Sequence, residues 1–324
     1  MPTQTAYFQG SFVPLAEAKI GIMTQAFLYG TACFEGIRGN WNEDDGTIYL
    51  FRLREHYQRL RMSGRILRIA LPLSDDELCD LTVELVVRNG YSEDIYIRPI
   101  AYKSEEAITP RLHDISDDFL IFVTPFGNYL DSEQGIRCMT SSWRRVEDTA
   151  IPARAKVNGM YVNSALAKTE AQENGFDEAI MLDERGHVSE GSGENICIVR
   201  NGKLITPSPS DNILEGITLD TVVTLARDEL GIETVHRSID RSELYIASEC
   251  FMTGTAAHVT AVVEVDRRPV GDGKTGEITQ RLQRLFFDAI RGKNDKYSHW
   301  LTPVKPQTSG QPADRQGVKA ERVP

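Results

Sequence analysis

The chain has 324 residues, 41% of them hydrophobic and 26% charged, with a formal net charge of −11. That length exceeds the roughly 100–200 residues of a typical domain, so two domains are expected in an ordinary globular protein. The negative charge argues against nucleic-acid and anionic-membrane partners, which basic surfaces attract, and still allows a local anion site.

Cys33, Cys79, Cys138, Cys197 and Cys250 lie far apart and form no CxxC pair. Such a sparse, odd set points to reduced thiols in a cytoplasmic protein rather than to a disulfide framework. The opening MPTQTAYFQGSFVP has neither the basic nor the apolar region of a signal peptide. No apolar run approaches the ~20 residues needed to cross a bilayer.

In chain order, residues 6–14 predict a hairpin turning at Gln9-Gly10. The stretch TQAFLYGTACFEGI (24–37) is apolar with small residues and reads as a buried helix of poor periodicity. A strand is predicted over 48–53 and an amphipathic helix over 53–67. A second helix over 75–89 has its own punctuation, with Ser74 as cap, Glu77 at the capping-box position and Gly90 at its end. Strands over 94–102 and 118–126 are joined by a charged loop. The polar stretch GNYLDSEQG marks 127–135 as an interdomain linker between a small N-terminal domain (1–126) and a C-terminal domain (136–304).

Beyond the linker come a strand over 136–142, an irregular segment, and a helix over 161–174 ending at Gly175. Two hairpins turn at Arg185-Gly186 and Asn201-Gly202, the second a type I′ signal. A helix from near Thr218 to Gly231, a strand-rich region over 249–265 and an amphipathic helix over 276–291 follow. Residues 305–324 lack aromatic residues and periodicity and are expected to be a disordered tail. The fold class is α/β and α+β, in two domains without internal repeat.

Two glycine patterns fall away on inspection. GDGKTGE (271–277) has Arg268 where a phosphate-binding loop needs glycine, and SEGSGEN (189–195) has Ile196 where a dinucleotide fingerprint needs its third glycine. The histidines show no metal-ligand spacing, so no metal is expected.

What remains is a set of elements that are dull one by one. Lys156 in IPARAKVNG precedes an amphipathic helix, and VSEGSGEN (188–195), EGIT (215–218) and FMTGTAA (251–257) follow it. Upstream lie AFLYGTACFEGIR (26–38), EHYQRL (55–60) and YIRP (96–99). Taken singly, Lys156 is a solvated charge, Glu190 a turn carboxylate and Arg59 one cation on a helix face. In this order and spacing they resemble the class IV aminotransferases, the fold-type IV pyridoxal-phosphate enzymes. The branched-chain amino acid aminotransferases are the nearest branch, and the likeness runs from about Tyr7 to about Val304.

The resemblance implies a small N-terminal α/β domain, a larger C-terminal pseudo-barrel domain, and pyridoxal 5'-phosphate as cofactor. It makes Lys156 the lysine that bonds covalently to the cofactor and moves protons. A primary amine can do both, and a guanidinium that stays protonated cannot. It makes Glu190 the carboxylate facing the pyridine nitrogen and Tyr161 the phenol beside the ring oxygen. Arg59, the backbone N–H groups of Ile217 and Thr218, and Thr255 would cradle the phosphate, as the start of a helix suits an anion. A plain helix cap at Thr218 is compatible with that role. Glu194 and Asn195 would support these groups from behind.

For the substrate, Phe34, Gly36, Arg38, Tyr96 and Arg98 match the branched-chain branch. Tyr129 and Tyr29 would add phenols at the pocket rim, Tyr29 from a neighbouring subunit. The backbone of Ala256 and Ala257 would take the α-carboxylate. The implied reaction moves the amino group of L-leucine, L-isoleucine or L-valine to 2-oxoglutarate. Related alternatives are a D-amino-acid or (R)-amine aminotransferase, aminodeoxychorismate lyase, and a non-catalytic binder of the cofactor. The implied assembly is at least a homodimer, with a hexamer open. Two departures stand out: Phe126 replaces a tryptophan of some relatives, and the loop KSEEAITPRLHD (103–114) differs from the glycine-rich loop of certain bacterial members.

Overall fold

The computed structural model describes residues 4–127 and 135–306, and the chain divides into two units. The first holds residues 4–127 and takes the chain back for 290–306; the second holds 135–289.

The first unit opens with β1 (Thr5–Phe8) and β2 (Ser11–Pro14), an antiparallel pair turning through Gln9 and Gly10, both at positive φ. There follow α1 (Gln25–Tyr29), β3 (Ala32–Phe34), β4 (Ile37–Asn42), β5 (Thr47–Phe51), α2 (Leu53–Ile66), α3 (Asp75–Asn89), β6 (Ile95–Lys103) and β7 (Asp117–Pro125). The helix expected over 24–37 is therefore corrected to a short one and two strands. Gly30 at φ 68° ends α1 by donating its N–H to the Ala26 carbonyl. The following residues then find backbone partners on β6, far downstream, which local periodicity does not encode.

At α3 the local signals are realised. The Ser74 N–H donates to Glu77 Oε2 at 2.7 Å and the Glu77 N–H donates to Ser74 Oγ at 3.3 Å. Such a cap contributes about 1 kcal/mol. The first sheet runs β5–β4–β6–β7–β1–β2, with β3 also on β6. Along β6, Ile95 and Ile97 enter a buried cluster with Ile37, Ile48 and Leu50 of the sheet and Leu53, Leu60, Leu78 and Leu85 of the two helices. Each such side chain contributes roughly 1.5–3 kcal/mol on burial. Strand alternation sends Tyr96 and Arg98 to the opposite face, where both are half-buried.

The second unit comprises β8 (Ile136–Thr140), α4 (Tyr161–Glu173), β9 (Glu178–Leu182), β10 (Val188–Gly191), β11 (Asn195–Arg200), β12 (Lys203–Thr206), α5 (Ile217–Leu230), β13 (Thr234–His236), β14 (Glu249–Gly254), β15 (His258–Val265), β16 (Arg268–Pro269) and α6 (Glu277–Ile290). Asn201 at φ 52° and Gly202 at φ 72° make the turn between β11 and β12, the left-handed pair a type I′ hairpin requires. The sheet order is β10–β9–β8–β15–β14–β11–β12–β13, with β16 on β15. Its two edges approach each other. The Val188 N–H donates to the Ile239 carbonyl at 2.8 Å, and His187 pairs with Asp240 just beyond β13. This is the curl of a pseudo-barrel.

The chain then returns to the first unit as β17 (Leu301–Val304), antiparallel to β5. The expected C-terminal domain reaching residue 304 is thus corrected: residues 290–306 belong to the first unit. The physical reason is that β5 would otherwise present an unpaired edge, and a four-residue strand carries too little pattern to announce its partner. Most of the expected linker, including Tyr129, and residues 307–324 of the expected tail lie outside the described residues. Among the described residues, no helix is long and apolar enough to cross a membrane, and all five cysteines carry free thiols.

Candidate active site

Lys156 lies in the irregular segment before α4, held by the buried neighbours Ala155 and Val157. A short 3-10 turn over Asn158–Met160 then brings Tyr161 to the first position of α4. The five-residue spacing therefore closes on itself. Lys156 Nζ donates to the Tyr161 hydroxyl at 2.8 Å.

Glu190 stands on the fully buried strand β10. Its Oε1 meets Arg145 Nη2 at 2.6 Å, and its Oε2 accepts from Asn195 Nδ2 at 3.1 Å and from the Leu214 N–H at 3.0 Å. Burial pushes the carboxyl up, while Arg145, the Leu214 N–H and the nearby charge of Lys156 oppose the rise. Arg145 was not singled out from the sequence, where it is one of two adjacent arginines in a stretch without periodicity. Its side chain is almost fully buried, and its Nε and Nη1 have no hydrogen-bond partner.

Asn195 also donates to the Leu214 carbonyl at 2.8 Å. Its Oδ1 lies against the α-carbon of Gly216, so a β-carbon there would collide with it. Gly216 is the N-cap of α5 and offers no side chain to the first-turn N–H groups. Ile217 and Thr218 are the first two residues of the helix, so Thr218 is inside it and is not the cap. Thr255, Ala256 and Ala257 form the turn between β14 and β15, where Thr260 Oγ1 donates to the Ala257 carbonyl at 2.7 Å. Glu194 is buried with its carboxyl pushed up to about 8, first by burial and then by the charge of Glu178.

The first unit carries its own polar cluster. On α2, Arg59 donates from Nε to Glu35 Oε1 and from Nη2 to Glu35 Oε2, both at 2.7 Å. Phe34 lies under the Arg98 guanidinium at 4.1 Å from ring centroid to carbon, and Arg98 Nη2 donates to the Tyr96 hydroxyl at 2.8 Å. That hydroxyl in turn sits where a side chain on Gly36 would have to go. Arg38, paired across the sheet with Tyr96, is buried and donates from Nη1 to the carbonyls of Phe126 at 2.8 Å and Gly127 at 3.2 Å. The main chain thus engages part of the donor set expected for substrate. Tyr29 ends α1 and is 39% exposed.

One cluster has the make-up of a metal site, Asp183, His187 and Asp211. Arg185 already bridges it, meeting both carboxylates at 2.7 Å, so a guanidinium does there what a cation would do.

The family model described as amino-transferase class IV matches residues 32–265. A probable branched-chain-amino-acid aminotransferase of Aquifex aeolicus (strain VF5) is 54% identical over 299 residues, covering 92% of this chain and 96% of that one. The crystal structure of a branched-chain aminotransferase from the archaeon Thermoproteus uzoniensis with norvaline is 44% identical, with a TM-score of 0.89 over 93% of this chain and 99% of that one. The crystal structure of a branched-chain amino acid aminotransferase from Thermobaculum terrenum in PLP-form (holo-form) is 37% identical, with a TM-score of 0.89 over 93% of this chain and 98% of that one.

Proposed function

The chain belongs to the class IV aminotransferases, and from that premise we infer that it is a branched-chain-amino-acid transaminase. It moves the amino group of L-leucine, L-isoleucine and L-valine to 2-oxoglutarate, with pyridoxal 5'-phosphate as cofactor. The observation that carries this reading is the Lys156–Tyr161 bond within electrostatic reach of a buried, braced Glu190.

The residues present fit the cofactor. A carboxylate has about four acceptor sites, and Arg145, Asn195 and the Leu214 N–H account for three on Glu190, leaving room for a ring N–H. A 14-residue helix that starts at a glycine without side-chain capping suits a phosphate. When bound, pyridoxal phosphate supplies an aldehyde that takes up the amino group and a ring that spreads the charge developing at the substrate α-carbon.

The chain's residues then have separate tasks. Lys156 Nζ anchors the cofactor and holds the proton that moves during the exchange, its direction fixed by the Tyr161 oxygen. Glu190 would keep a proton on the pyridine nitrogen, and Arg145 opposes the push of burial on the Glu190 carboxyl. Arg59, Thr255 and the first N–H groups of α5 bind the phosphate. Phe34 and Gly36 give an apolar wall, and Tyr96, Arg98 and Arg38 would meet a distal carboxylate. The Ala256 and Ala257 backbone takes the α-carboxylate. The enzyme works as a cytoplasmic homo-oligomer. Ile22, Phe27 and Leu28 at α1 leave 82%, 67% and 42% of their surface exposed, an apolar patch that a second copy would cover and that would carry Tyr29 to its neighbour.

The test is direct. Cofactor-loaded protein mixed with L-leucine should pass to the pyridoxamine 5'-phosphate form, and 2-oxoglutarate should restore it. Conversion by D-leucine or an (R)-amine in preference to L-leucine would favour the related activities instead.

A further inference from the structure

Glu35 was not among the residues the sequence singled out, yet its carboxylate is buried and held by two side chains of α2. It lies in the two-residue gap between β3 and β4, with no exposed surface, and its N–H donates to the Pro99 carbonyl of β6 at 3.0 Å. Its backbone is therefore fixed by the sheet. Its carboxylate is gripped from α2, where His56 and Arg59, three residues apart, share one helix face. His56 Nδ1 lies 2.7 Å from Oε2, and Arg59 spans both oxygens through Nε and Nη2. Burial alone would raise the carboxyl, but Arg59 and His56 outweigh it and hold it at about 2.

We propose that Glu35 is a positioning residue: it orients the Arg59 guanidinium for the cofactor phosphate, with His56 bracing the carboxylate. This rests on the reading of Arg59 as a phosphate ligand. A guanidinium has donors only, in a rigid planar fork. Gripping its Nε–Nη2 edge settles the direction of its other donors before any phosphate arrives, and such preorganisation adds affinity without a new contact. The pair also explains how a buried arginine is tolerated when no phosphate is there, since an uncompensated buried charge is costly. An amide in place of the carboxylate would set N–H groups against a donor edge or against His56, and Arg59 would have to turn away.

The experiment separates phosphate recognition from general packing by titrating cofactor-free protein with pyridoxal 5'-phosphate and, in parallel, with pyridoxal, which lacks the phosphate. Glu35→Gln should weaken the phosphorylated ligand on the order of tenfold or more while changing pyridoxal by no more than about twofold. Glu35→Asp, which keeps the charge, should recover part of the loss. Added to Arg59→Met, Glu35→Gln should cost little further affinity, because its effect runs through Arg59. If Arg59→Met discriminates between the ligands and Glu35→Gln does not, the proposal is overturned while the phosphate role of Arg59 stands. If Arg59→Met weakens both ligands equally, that role fails and the proposal fails with it. Should Glu35→Gln not fold, Glu35→Asp and His56→Gln carry the same comparison: selective loss for the phosphorylated ligand supports the proposal, and equal loss for both overturns it.

Discussion

The phenol oxygen of Tyr96 occupies the space that a β-carbon on Gly36 would fill. The glycine is therefore a condition for where the phenol sits, and the phenol accepts the hydrogen bond of Arg98. Gly36→Ala should destabilise the protein by about 1–3 kcal/mol, the usual cost of overpacking. Tyr96→Phe removes the oxygen that the new methyl meets. Thermal unfolding of the double variant Gly36→Ala/Tyr96→Phe should then show less loss than the two single losses added. Simple additivity would mean that the two residues do not share this space.

The proposed recognition of two substrates would fall on the same cluster. Arg98 is stacked over Phe34 and bonded to Tyr96, so it is held in place before substrate enters. Arg98→Met should depress kcat/KM for glutamate on the order of 1.5–3 kcal/mol and leave leucine far less affected. The two half-reactions, followed separately by the cofactor absorbance, give the comparison. Equal losses for both substrates would assign Arg98 a bracing role only.

Arg145 should reveal itself through pH. Burial raises the Glu190 carboxyl above its ordinary value, and Arg145 is the first group opposing that rise. Arg145→Met should therefore let Glu190 keep its proton to higher pH. The acidic limb of the rate of the leucine half-reaction should move to the alkaline side, with activity partly regained as pH rises. A uniform loss at every pH would indicate general damage to the site.

Glu35 gives a stability prediction of opposite sign. Its folded-state carboxyl, held at about 2 against an ordinary 4.5, contributes stability that is present above the ordinary value and lost as pH falls through the lowered one. At about 1.4 kcal/mol per unit, the contribution is on the order of 3 kcal/mol. Denaturant midpoints should thus drop between roughly pH 4.5 and 2, and the Glu35→Gln variant should show a flatter profile there. An unchanged profile would mean that the carboxylate is not so strongly held.

The sequence was legible where structure is written locally. Ser74 and Glu77 sit three residues apart and cap a helix by themselves, and Asn201-Gly202 folds a turn from its own dihedral preferences. Pairing between distant segments leaves no such local mark. Residues 32–42 become strands because β6 is there to receive them, and β17 returns to β5 from the far end of the chain. The site divides in the same way. Lys156 and Tyr161 are close in sequence and meet in space. Glu35 and Arg145 look like ordinary surface charges until folding buries them against Arg59 and Glu190.

Lys156 is the residue proposed to hold the cofactor covalently and to carry the exchange. Borohydride reduction of the cofactor-loaded protein followed by peptide mapping measures this directly. The label is expected on Lys156, with Lys156→Ala unlabelled, still able to bind some cofactor without a covalent bond, and inactive toward L-leucine. A label on another lysine such as Lys168, or near-normal turnover by Lys156→Ala, would contradict it.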